Sequence, residues 1–233
     1  MPTGSDIARL VERQMRNWEI ARQQRLEAEQ RPAAEQVADF VTISRAVGSQ
    51  GGEVAQQLAQ RLGWPLFDKE LLQHMAGDDQ VRARLYETMD ERDTSWLESM
   101  LRWLLHGELR REDYFYRLSE TVLALARQGP AVYLGRGVDF ILPQDRGLRV
   151  RILAPEEMRV RHYARQHACD LRTARAEIAR LEREREDFIR QYFGRPKADP
   201  TRFDLLLNLG RVPIPEAVEL IVTALRLRGA AVK

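Results

Sequence analysis

Residues 40–53, Phe40-Val41-Thr42-Ile43-Ser44-Arg45-Ala46-Val47-Gly48-Ser49-Gln50-Gly51-Gly52-Glu53, decide the fold of this chain. The first five are apolar and β-branched, the composition of a short buried strand. Gly48, Gly51 and Gly52 then supply conformational freedom. Val54, Ala55, Leu58 and Leu62 follow at helical spacing, closed by Gly63. Strand, glycine-rich turn and helix in that order can aim backbone N–H groups and a helix N-terminus at a phosphate. The same three pieces can also form a tight reversal with no ligand.

Working outward, further short apolar runs read as strands at 65–68, 131–134, 148–154 and 204–208. The first ends at Asp68, and the run at 131–134 leads into Gly135-Arg136-Gly137. Residues 69–128 read as helices in bursts. One stripe holds Trp96, Leu97, Met100, Leu101, Leu104 and Leu105, and a second holds Tyr114, Phe115, Leu118, Val122 and Leu125. Residues 156–192 read as a charged helical pair broken near Asp170, and 215–228 as a closing helix. Five strands alternating with helices predict an α/β fold with a parallel sheet covered on both faces. Ligands of such sheets bind at the C-terminal strand ends, which directs attention to 45–52, Asp68, 135–139 and 208–211.

Upstream, Ile7, Leu10, Val11, Met15 and Trp18 predict a helix over 5–29, followed by a linker around Pro32. The expected division is an arm and linker over 1–38 and an α/β domain over 39–230. The arm's apolar stripe needs burial, on the domain or on a second copy as a homo-oligomer. The chain has 233 residues and a formal charge of +2, too small to argue for nucleic acid. Its basic excess gathers within 144–202. No apolar run approaches the roughly 20 residues of a membrane-spanning helix, and the first residues lack a secretory pattern, so a cytoplasmic protein is expected. With Cys169 as the only cysteine, an intramolecular disulfide and a multi-cysteine zinc site are excluded.

The usual phosphate loop reads G-x-x-x-x-G-K-[ST]. With the helix set in register, Gly51 stands at the lysine position and Gly52 at the Mg²⁺-binding hydroxyl position, followed by Glu53. A glutamate there suits the helix dipole but repels a phosphate. Positive charge for any phosphoryl chemistry must therefore come from elsewhere.

The stretch 41–72, VTISRAVGSQGGEVAQQLAQRLGWPLFDKELL, resembles the opening of the cytidylate-kinase-like family. VYLGRGVDFIL at 132–142, RILAPEEMRVRHYARQ at 151–166 and EREREDFIRQYFGRPKADPTRFDLLLNLG at 182–210 resemble its later segments in order. The resemblance extends over about residues 40–228. It implies a three-layer P-loop fold and an activity like that of nucleoside monophosphate kinases. Those move the γ-phosphoryl of ATP to a nucleotide, with Mg²⁺ and an arginine-bearing lid. Carried onto this chain, Arg45, Arg136 and Arg185 are the implied catalytic cations. Gly48, Ser49, Gln50, Gly51, Gly52 and Glu53 would line the donor phosphates. Asp68, Arg136 and Asp139 would face the acceptor, Asp68 also through Mg²⁺. The resemblance makes 39–230 a P-loop domain with a lid at about 156–199, for which Arg159, Arg161, Arg183, Arg185 and Arg190 are the candidates.

The loop departs from the family's pattern: Gln50 stands where glycine is common, and Gly52 where a basic residue is common. Leu134 replaces the acid found before Gly-Arg in cytidylate kinases proper. Simpler readings also stand. Asp68 can cap the next helix. Arg183, Arg185 and Arg190, interleaved with Glu182, Glu184 and Glu186, can be a solvated face laced with ion pairs. Two other functions remain open: a degenerate kinase that binds a nucleotide as a regulatory or scaffolding module, and an interaction protein that works through its N-terminal arm.

Overall fold

The computed structural model describes residues 37–87, 91–104, 113–194 and 199–230, with Glu12 and Met89. The expected N-terminal helix and most of the linker lie outside them. Five strands are present: β1 (Phe40–Arg45), β2 (Leu66–Phe67), β3 (Ala131–Leu134), β4 (Leu148–Leu153) and β5 (Leu205–Asn208). The described helices are α1 (Gly51–Leu62), α2 (Lys69–Gly77), α3 (Asp79–Glu87), α4 (Glu91–Leu104), α5 (Asp113–Gln128), α6 (Val138–Ile141), α7 (Glu156–His167), α8 (Leu171–Phe193) and α9 (Ile214–Leu227). The strands form one parallel sheet in the order β2-β3-β1-β4-β5. In register, Ile43 lies opposite Val150, and Ile152 opposite both Arg45 and Leu207. The expected α/β architecture is therefore present, with strand limits within a residue or two of the apolar runs.

The chain divides into two compact units. One comprises 40–66 and 132 onward, and holds most of the sheet. In β1 and β4 apolar residues line one face, while Thr42, Ser44, Arg149 and Arg151 alternate with them on the other. On one face Val54, Ala55 and Leu58 of α1 and Val218, Ile221, Val222 and Leu225 of α9 share a core with Val41, Ile43, Val150 and Ile152. Gly63 stops α1 in the left-handed conformation, and the Trp64 N–H returns to the Ala59 carbonyl.

The charged pair α7 and α8 has its own small core. Val160 and Ala164 meet Ala174 and Ile178, and Val47 from the loop after β1 joins them. Asp170 caps α8, its carboxylate accepting from the Thr173 N–H at 2.9 Å and from Thr173 Oγ1 at 2.8 Å. The Thr173 N–H holds this carboxyl below its usual range. A depressed folded-state value contributes stability above the unfolded pKa, near 4, and loses it as pH falls through the folded value. The melting temperature of Asp170→Ala should therefore fall below the native one at pH 7, and the gap should close in acid. Circular-dichroism melts at two pH values check this.

The other unit comprises the described residues of 67–131 with 37–39. Helix α5 packs on α2, α3 and α4. It buries Phe115, Leu118, Val122 and Leu125 in a unit that also buries Leu72, Leu85, Leu97 and Leu101, so members of both expected stripes enter a core, while Leu105 lies outside the described residues. A buried carboxylate, Glu120, accepts from Arg82 Nη1 at 2.8 Å and from Tyr86 Oη at 2.5 Å.

Candidate phosphate-binding site

The loop after β1 closes on itself. Ser49 donates through both its N–H (3.2 Å) and its Oγ (2.8 Å) to the Ala46 carbonyl, and the Ala46 N–H is tied to Ile152 of β4. The left-handed residues are Gly48 (φ +77°) and Gln50 (φ +61°), which corrects the expectation that all three glycines supply conformational freedom. Gly48 also meets α7, since a Cβ there would stand 2.6 Å from the Arg159 carbonyl oxygen. Gly51 is required by close approach: a Cβ would stand 2.6 Å from Cβ of Arg45. A Cβ on Gly52 would meet nothing within 4 Å. The Gln50 carbonyl accepts from the Glu53 and Val54 N–H groups. Gly51 and Gly52 begin α1, where a helix leaves its N–H groups without intrahelical partners. The Gln50 amide is turned to the Glu53 carboxylate at 2.9 Å.

This geometry separates two ways of adding the missing cation. Gly51→Lys must push Arg45 aside and should cost about 1–3 kcal/mol, as overpacking does. Gly52→Lys has room and should melt within about 0.5 kcal/mol of the native chain, since its Cβ would meet nothing within 4 Å. Parallel denaturant titrations decide between them.

Arginines supply the positive charge around the loop. Arg45 ends β1, and its side chain crosses the Gly135 turn so closely that a Cβ on Gly135 would overlap its guanidinium. Arg185 of α8 donates to the Arg45 carbonyl at 3.3 Å. Arg159 of α7 donates to the Val47 carbonyl at 3.2 Å. Arg136 sits at φ +56°, an uncommon conformation for a residue with a side chain, and lies over the Phe188 ring at 5.2 Å. Burial pushes the Arg185 pKa down; Glu182 counters this, and nearby Arg136 and Arg151 add to it. Arg45, Arg136 and Arg185 are thus gathered at one end of this unit. Glu182 of α8 places Oε1 2.6 Å from the Val47 nitrogen, accepting its N–H, and 3.6 Å from Arg159 Nη1.

Other sequence candidates are engaged differently. Asp68, in the other unit, caps α2 by accepting from the Leu71 N–H at 2.9 Å. Asp139 is buried and pairs with Arg202 at 2.9 Å. Burial pushes its pKa up against the pull of Arg202. Arg202 lies over Phe140, which stacks on Phe193 at 4.4 Å. Arg161, Arg183 and Arg190 are exposed, and Arg190 pairs with Glu186 as the solvated-face reading expects. Arg151 was not singled out from sequence. It is buried in β4, donates to Ser44 Oγ at 2.8 Å and couples electrostatically to Glu182. Its signal was a charged residue interrupting the apolar run of a covered strand.

The cytidylate kinase-like family model matches residues 40–211. The chain belongs to that family. No curated protein compared with it matches. Among solved structures, the uncharacterized protein from Eubacterium ventriosum ATCC 27560 is 20% identical, with 81% of this chain and 98% of that one covered and a TM-score of 0.57, so the two share a fold. TT1252 from Thermus thermophilus matches at 18% identity, 83% and 98% coverage and a TM-score of 0.47. Shikimate kinase from Bacteroides thetaiotaomicron matches at 12% identity, 81% and 98% coverage and a TM-score of 0.43. No described helix of this cytidylate kinase-like chain is long and apolar enough to cross a membrane.

The two groups that the family implies fit the chain unequally. A nucleotide's phosphates fit the start of α1, where Gly52 has open space around it and Gly51 lies against Arg45. Mg²⁺ has no ready cage: no group of three or more His, Cys, Asp or Glu able to hold it occurs among the described residues. The hydroxyl within the loop, Ser49 Oγ, is buried and donates to the Ala46 carbonyl.

Proposed function

We propose that this chain is a phosphotransferase that moves the γ-phosphoryl of ATP to a nucleotide or related acceptor, with arginines replacing the loop lysine. The observation that carries this reading is the gathering of Arg45, Arg136 and Arg185 beside a glycine loop that opens a helix at the end of β1. Guanidinium groups bind phosphate oxygens through paired N–H donors and keep their charge at all working pH values. Phosphoryl transfer asks the protein mainly for positioning and charge stabilisation. The N–H groups of Gly51 and Gly52 would hold the donor phosphates, and Arg45 and Arg185 would neutralise them. Arg136 would face the group in transfer, with Arg159 tying the lid to the loop. Mg²⁺ would arrive with the phosphates, as it commonly does in kinase sites. The acceptor side would use Arg136, Asp139 being held by Arg202. A cytoplasmic setting suits a nucleotide substrate.

A second reading, a degenerate kinase that binds nucleotide in a regulatory or scaffolding role, is favoured by the Glu182 carboxylate on the loop and by Gly52 and Glu53 at the start of α1. A thermal-shift panel of nucleoside monophosphates, their deoxy forms, ATP and GTP, with and without Mg²⁺, separates the two. A ligand at a hundredfold excess over its Kd stabilises the fold by about 2.7 kcal/mol. The kinase reading expects shifts with ATP and with one monophosphate. A shift with monophosphate alone favours the degenerate binder, and no shift with any nucleotide removes both.

A further inference from the structure

We propose that Glu182 is a built-in phosphate mimic: its carboxylate occupies the Val47 N–H of the phosphate loop and must be displaced before a polyphosphate is fully bound. The inference rests on the phosphate-binding reading above and adds an autoinhibitory contact to it. Three observations on Val47 support it. Its N–H donates to Glu182 Oε1 at 2.6 Å, a short hydrogen bond to a charged acceptor. Its carbonyl accepts from Arg159 Nη1 at 3.2 Å. Its side chain is buried against Val160, Ala164, Ala174 and Ile178 of α7 and α8. The α7–α8 pair therefore holds all three parts of one residue in the loop.

The chemistry of the acceptor makes this more than a docking contact. A glycine-rich loop before a helix directs its N–H groups toward an oxyanion, and the oxyanion here belongs to the chain itself. Glu182 is also close enough to Arg151, Arg159 and Arg185 to act on their charges. It thus serves as counter-ion to the arginines that a phosphate would use. Incoming phosphate and the carboxylate repel each other, so binding must exchange one anion for the other. Phosphate affinity is lowered by the fraction of molecules in which Glu182 holds the loop.

The test compares the full native chain with Glu182→Gln and Glu186→Gln by calorimetric titration with inorganic tripolyphosphate. Glu186 lies one turn along α8, pairs with Arg190 and also acts on Arg151, so its replacement removes the same charge without touching Val47. A hydrogen bond to a charged group is worth enough that Glu182→Gln should tighten binding about tenfold or more. Glu186→Gln should change it less than about twofold, as an exposed ion pair allows. Equal affinity in the native chain and Glu182→Gln, or equal gains in both variants, overturns the mimic while leaving the phosphate site standing. Binding by none of the three proteins overturns both. A second measurement needs no variant: the carboxylate ¹³C resonance of Glu182 should move when the native chain is saturated with tripolyphosphate. Saturation without movement contradicts the displacement.

Discussion

Arg136→Ala should lower phosphoryl transfer by about 100-fold or more and shift the melting temperature by only a few degrees. Removing one donor that stabilises charge in a transition state costs about 10²–10³ in rate, and a charged arginine finger is worth more. The small effect on stability follows from where Arg136 sits. Its backbone is left-handed between Gly135 and Gly137, and alanine can occupy that conformation at a similar penalty. The contact with Phe188 joins two half-buried side chains and contributes about 0.5–2 kcal/mol, the range of cation–π pairs from exposed to desolvated. Arg136→Lys keeps the charge but loses the planar fork and should recover only part of the rate. Steady-state kinetics beside calorimetric melts separate the cases. A melting temperature that falls in step with activity would make Arg136 a structural residue.

The largest effect on stability is expected at the Asp139–Arg202 pair. Both side chains are nearly closed to solvent, at 11% and 8% exposure. Arg202→Ala leaves a carboxylate in the interior without its counter-ion, a change that costs about 3–5 kcal/mol. Burial already raises the Asp139 pKa in the native fold, and losing Arg202 raises it further. A group with a raised folded-state pKa gives stability that is complete below its unfolded value and lost as pH rises through the folded one. The Arg202→Ala defect should therefore be larger at pH 8 than at pH 5, as urea titrations at the two values would show. Adding Asp139→Asn should recover part of the loss by removing the stranded charge. A pH-independent defect that Asp139→Asn does not relieve would assign the cost to lost packing of Arg202 on Phe140.

The sheet was legible in sequence because covered parallel strands read as apolar runs, and 40–44 and 131–134 are such runs. The charged helical pair was legible from Asp170, whose capping geometry matches the break expected there. The roles of the loop glycines were not. Composition cannot distinguish a left-handed Gly48 from a Gly51 crowded by Arg45, or either from a Gly52 with open space around it. Glu182 was hidden twice. In Glu182-Arg183-Glu184-Arg185-Glu186 it looks like one more surface ion pair, and its partner Val47 is 135 residues away. Asp139 was readable as a polar residue near a strand end, but its partner Arg202 comes from the short 3₁₀ turn before β5.

The most direct test of the central claim is transfer of label from γ-³²P-ATP, with Mg²⁺, to a panel of nucleoside monophosphates by the purified chain. A labelled nucleoside diphosphate is expected from at least one acceptor, and its loss is expected in Arg136→Ala. Binding of ATP without transfer to any nucleotide, or transfer that survives Arg136→Ala undiminished, would contradict that claim.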